Sequence, residues 1–179
     1  MQKLIVMSVV ALCASPALAQ PSAGQAASPG GMTAKATFVD IKGENVGTAR
    51  LTQTPKGVLI DLDVKGLTPG EHGFHIHETG KCETAAKFTT AGGHYSGGHD
   101  HGFHSAKGPH AGDLPNLIAP ESGIVKQQIF TSGVTLSAGA TSLFDDNGSA
   151  LVIHAKADDY RSQPAGDSGD RVACAVIEK

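Results

Sequence analysis

Four apolar residues, Val58, Ile60, Leu62 and Val64, share one parity of the stretch VLIDLDVK, and Asp61, Asp63 and Lys65 take the other. Strand side chains alternate between two faces, so this pattern predicts a half-buried β-strand. Turn residues bracket it, with Pro55-Lys56-Gly57 before and Gly66 and Pro69-Gly70 after. Short runs rich in Val, Ile, Thr and Phe recur at 36–41, 46–52, 125–131, 134–136 and 151–155. No segment carries a helical stripe over three turns. Many short strands joined by glycine-rich turns predict an all-β sandwich or barrel.

Two stretches break the pattern. Residues 89–116 are rich in Gly and His and poor in aliphatics, and residues 156–171, KADDYRSQPAGDSGDR, are polar. Neither can supply core strands. Loops of this length inside a compact domain normally carry function.

The N-terminus differs again. Met1-Gln2-Lys3 gives a basic start, Leu4–Ala14 is an apolar run, and Ala17-Leu18-Ala19 supplies the small residues read by signal peptidase. Residues 1–19 are therefore predicted to be a signal peptide cleaved before Gln20. The run is too short to span a bilayer, which takes roughly 20 residues, so no membrane anchor is expected after cleavage. Gln20–Met32, QPSAGQAASPGGM, has no periodicity and predicts a flexible segment over 20–33, followed by one domain over 34–179. The expected location is periplasmic or secreted.

Export changes how the cysteines read. Of the three, Cys13 leaves with the signal peptide, and Cys82 and Cys174 remain. Two cysteines in an oxidising compartment are most simply a disulfide, with two free buried thiols as the alternative. Lys3 is the only charged residue removed, so 13 of the 14 basic residues stay against 17 acidic ones. That balance, without a basic run, points away from nucleic acid and membrane surfaces.

All nine histidines fall between His72 and His154. Solvated surface histidines scatter, so this clustering favours metal, although poly-His sequestering tracts also cluster. His75 and His77 are two apart, and on a strand both rings project from one face while Ile76 points the other way. The long loop adds His94, His99, His101, His104 and His110, then Asp113 three residues later. Three imidazoles and a carboxylate suit zinc, and an all-imidazole site suits copper. The spacing alone does not say which of these histidines bind. His154 ends an apolar run, where a hydrogen-bonded core histidine is the alternative, and Asp158 follows four residues on.

Five motifs in order, HGFHIHE, AGGHY, GPHAGDLPN, VIHAKADD and GDRVACAVI, resemble the copper/zinc superoxide dismutases over about Ala34–Lys179. The resemblance implies a Greek-key β-sandwich or flattened barrel of about eight antiparallel strands, with long metal-binding and active-site loops. It implies one copper and one zinc per subunit and the dismutation of superoxide to oxygen and hydrogen peroxide by alternate reduction and reoxidation of copper. By position, His75, His77, His94 and His154 match copper ligands. His94, His101, His110 and Asp113 match zinc ligands, with His94 as the shared bridge. Asp158 matches a carboxylate linking a copper ligand to a zinc ligand, and His72 a histidine that hydrogen-bonds backbone. Arg171 matches the active-site arginine, and Cys82 with Cys174 the internal disulfide. Relatives occur as dimers and monomers, so a homodimer is the candidate oligomer. His99 and His104 are additional to the family pattern, and either competes with His101. An exported metal buffer without turnover is the rival reading.

Overall fold

The computed structural model of the protein describes residues 31–179; the signal-peptide reading and most of the 20–33 segment lie outside the described residues. Nine strands follow in order: β1 Thr33–Asp40, β2 Asn45–Thr54, β3 Gly57–Val64, β4 Gly70–His72, β5 Phe74–His77, β6 Leu117–Ala119, β7 Val125–Thr131, β8 Ala150–His154 and β9 Arg171–Glu178. Seven form one antiparallel sheet in the order β5-β8-β9-β1-β2-β3-β7, and β4 pairs with β6. β1, β2 and β3 make a meander, after which the chain crosses to β5 at the far edge and returns to place β7 beside β3. The sheet curls around a core drawn from eight of the strands, which gives the all-β flattened barrel. The only helical segments among the described residues are two 3₁₀ turns, Thr84–Ala86 and Thr89–Ala91.

The alternation seen in β3 is realised as burial: Val58, Ile60, Leu62 and Val64 are buried while Asp61 and Asp63 are exposed. β5 and β8 behave differently, with every residue buried. Phe74, Ile76, Leu151 and Ile153 face the barrel core. Ala150 and Val152 face outward into a second cluster with Phe88, Ala91 and Cys174. The loop after β5 therefore lies over the outside of this sheet region and seals it.

The expected strand at 134–136 does not form. Thr135 makes only an isolated bridge to Ser142. Val134 and Leu136 are nevertheless buried, so their alternation reports packing beneath a loop, not ladder pairing.

Cys82 and Cys174 are bonded, closing a sequence separation of 92 residues and fastening the covering loop to β9. In the chain-entropy model a loop of that size stabilises by about 4–5 kcal/mol. Reduction is expected to lower Tm by about 10 °C in calorimetry. An unaltered melt would mean that the crosslink does not constrain the unfolded chain.

Candidate metal centre

His75 and His77 leave the outer face of β5. They pair across the ladder with Val152 and Ala150, which puts His154, the last residue of β8, on the same face. His94 reaches them from the loop. The Tyr95 amide donates to the Ile76 carbonyl at 2.8 Å, and Ile76 donates to the Gly112 carbonyl at 2.8 Å, so the loop is stitched along β5. His75, His77, His94 and His154 are all buried, and one donor atom from each lies within 4.8 Å of the others.

The hydrogen bonds settle which nitrogens carry protons. His77 Nδ1 donates to the Gly92 carbonyl at 3.0 Å, and His154 Nδ1 donates to the Gly169 carbonyl at 3.2 Å. His75 Nε2 donates to Asp158 Oδ2 at 2.7 Å. The opposite atoms, His75 Nδ1, His77 Nε2, His154 Nε2 and also His94 Nε2, are buried without any partner. Burial pushes the His75 pKa down to about 4, that of His154 down to about 3 and that of His77 well below its ordinary value. The three rings are therefore neutral near pH 7 and present bare lone pairs. An unsatisfied buried polar atom costs about 1–3 kcal/mol, so four at one point are chemically suited to a cation.

A second group forms around Asp113 Oδ1. His94 Nδ1 lies 2.9 Å from that oxygen, His101 Nδ1 3.0 Å and His110 Nδ1 3.3 Å, with 3.4 Å between the His110 and His94 nitrogens. Ligands about 2.0–2.1 Å from a tetrahedral ion sit about 3.3 Å apart, so this spacing fits zinc. Asp113 Oδ2 is occupied separately, accepting from the amides of Gly102 at 2.8 Å and His110 at 3.0 Å. Burial alone would raise Asp113, but hydrogen bonds from His101 and His94 hold it well below the usual carboxylate range. Among the described residues these two groups are the ones placed to hold an ion, and His94 belongs to both.

Asp158 joins them. Its Oδ2 faces His75, and its Oδ1 accepts from His101 Nε2 at 3.1 Å. Burial lowers the His101 pKa, but the two carboxylates outweigh it and raise the value to about 9. Asp158 is itself held by the Tyr160 amide at 2.6 Å and by Asn116, whose side chain accepts from the Asp158 amide at 2.9 Å and donates to its carbonyl at 3.0 Å. Gly166 packs directly over the contact. Its φ is +70°, and a Cβ there would collide with Asp158 Oδ1 and His101 Nε2. Asn116 and Gly166 are not legible in the sequence, because neither a buried amide nor a missing Cβ leaves a periodic signal.

The remaining residues fall around this frame. His72 faces the carbonyls of His154 at 2.6 Å and Thr68 at 2.8 Å. Arg171 opens β9 opposite His154 and donates to the carbonyls of Phe88 and Gly92, each at 2.6 Å. Gly92 O is the same oxygen that orients His77. His154 and Arg171 line a cleft with residues 162–165 and 167–169. His99 and His104 are exposed and belong to neither group.

A curled antiparallel barrel carrying two buried donor sets that share one imidazole defines a dinuclear metalloprotein. The family model for copper/zinc superoxide dismutase matches residues 45–177. The curated superoxide dismutase [Cu-Zn] 2 of Aquifex aeolicus is 46% identical over 149 residues, covering 82% of this chain and 86% of that protein. A solved SOD-like protein from Bacillus subtilis superposes with a TM-score of 0.76 at 34% identity, over 79% of this chain and 96% of that one. The Cu/Zn superoxide dismutase of Brucella abortus gives 0.67 at 31% identity, over 82% and 100%. The chain belongs to the copper/zinc superoxide dismutase family. One of these neighbours is an SOD-like protein, so the fold alone does not carry the activity; the donor set of this chain does.

Proposed function

We propose that the protein dismutates superoxide, with copper held by His75, His77, His94 and His154 and zinc by His94, His101, His110 and Asp113. The observation that carries this reading is the set of four buried imidazole nitrogens without partners, one of them on the ring that also enters the Asp113 group. When bound, copper supplies the one-electron couple that releases one superoxide as oxygen and reduces a second to peroxide, while zinc supplies a redox-inert charge on the shared ring.

The chain's own residues do the rest. His75, His77 and His154 stay neutral through burial, which keeps the donor set compatible with either charge on the metal. His94 Nε2 is the atom at which a proton is held between the half-reactions, its Nδ1 staying with His101, His110 and Asp113. That proton passes to the nascent peroxide, and solvent supplies the second. Arg171 offers the substrate anion a fixed cation with directional donors at the cleft.

We read 34–179 as the catalytic domain and 1–19 as a cleaved leader, which places the enzyme in the periplasm or outside the cell. The disulfide supports that compartment. No helix among the described residues is long and apolar enough to cross a membrane.

The test is metal analysis and pulse-radiolysis kinetics on untagged, copper- and zinc-loaded protein. About one ion of each per chain, with a rate approaching the diffusional ceiling for which superoxide dismutases are themselves a known example, is the expected result. Both ions bound with negligible dismutation would make the protein a metal buffer.

A further inference from the structure

Resting on the zinc assignment above, we propose that Gln163 is a positioning residue that selects His101, over His99 and His104, for the Asp113 group. The glycine-rich run GGHDHGFH places three imidazoles within six residues, at 99, 101 and 104. Side-chain chemistry cannot separate them. His101 is the one whose ring meets Asp113 and Asp158, and its main chain is held in a way that brings it there.

The Gln163 amide grips that main chain on both sides. The His101 amide donates to Gln163 Oε1 at 3.1 Å, and Gln163 Nε2 donates to the His101 carbonyl at 2.7 Å. A planar side-chain amide thus acts as a single rung of a β-ladder on one residue. Nε2 also reaches the Arg161 carbonyl at 3.3 Å, which ties the clamp to its own loop. No equivalent clamp acts on His99 or His104. The His99 amide bonds only the Ser96 carbonyl of its own turn, at 3.2 Å, and His104 meets the Tyr160 carbonyl through its amide at 3.1 Å.

The arrangement is reciprocal. Gln163, on the loop after β8, holds His101 on the loop after β5, and Asn116, at the end of the β5 loop, holds the main chain of Asp158 in the same two-sided way. The two gripped residues then bond each other. This closes a cycle in which the position of His101 along its loop is fixed from outside that loop. With the Gln163 rung removed, the loop keeps the Gly102 amide on Asp113 Oδ2 and the His104 amide on the Tyr160 carbonyl but loses the grip on the main chain of His101, and the flanking Gly98 and Gly102, both at positive φ, let that segment exchange which ring it presents.

The experiment loads cobalt(II) in place of zinc and follows visible absorption and chelator-driven release in the full, disulfide-intact protein. Wild type is compared with Gln163→Ala, Gln163→Glu, and Gln163→Ala combined with His99→Ala and His104→Ala. Gln53→Ala, which removes bonds to Thr135 and Leu136 from a β2 residue that belongs to neither donor group, serves as a purely structural control. Gln163→Ala is expected to release cobalt about tenfold faster and to show a mixed spectrum. In the combined variant the fast release persists but the spectrum becomes single, because the competing rings are gone. Gln163→Glu keeps the acceptor half and falls between. Gln53→Ala lowers Tm without touching spectrum or release. Wild-type spectrum and release in Gln163→Ala would overturn the inference while leaving the metal assignment standing. Wild-type protein that takes up no cobalt would remove both.

Discussion

Asp158→Ala is expected to weaken zinc binding by about 10–100-fold, the usual cost of losing a carboxylate that orients a ligating histidine. The carboxylate does three things at once. It accepts from His101 Nε2 and so turns Nδ1 toward Asp113, it accepts from His75 Nε2 and so leaves Nδ1 as the lone pair, and it fixes the distance between the two. Its loss leaves a buried N–H on His75 without an acceptor, which adds about 1–3 kcal/mol of destabilisation on that side. Asp158→Asn should recover only part of the effect, since one amide presents an oxygen to one histidine and N–H groups to the other. Competition against a chromophoric chelator measures this directly. An unchanged zinc affinity in Asp158→Ala would show that the packing of the two loops, and not the carboxylate, orients the rings.

The sequence made the barrel legible where a strand alternates or carries a run of β-branched residues. β3, β7 and β8 are read correctly to within a residue: Asp61 and Asp63 mark the solvent side of β3, and Val, Ile, Thr and Phe enrich β7 and the wholly buried β8. It hid β9, which the periodicity does not predict, because Ala173, Cys174 and Ala175 are buried in succession between the barrel core and the outer cluster. β4 and β6, at three residues each, are too short to show any period. The same logic divides the site. His75 and His77 share a face by parity, and strand pairing brings His154 to that face. The choice among His99, His101 and His104 is not a property of spacing, because the loop's path is set by Asp113 Oδ2, Tyr160 and Gln163, residues distant in sequence. The glycine at 166 is equally opaque: its need for no Cβ exists only once Asp158 and His101 have met.

Arg171→Ala is the other large effect, and it separates catalysis from metal retention. The whole chain carries a formal charge of −3, so the attraction of a small anion has to be local. In the proposed reading Arg171 supplies it from a half-buried position; burial lowers its pKa, yet guanidinium stays protonated in proteins. Fields focused in clefts raise association rates by about 10–10³, and losing the guanidinium opposite His154 should lower kcat/KM at low ionic strength by about 10–100-fold. Wild-type activity should fall as salt screens the approach, and the variant should respond much less, because the screened charge is gone. The control lies in Gly92, whose carbonyl takes both Arg171 Nη2 and His77 Nδ1. If the arginine mattered only by holding that carbonyl, copper content would drop with activity and Arg171→Lys would not help. If it acts on the substrate, metal content stays near two ions per chain and lysine restores part of the rate with its salt dependence. A variant as fast as wild type at low salt would remove Arg171 from the reaction.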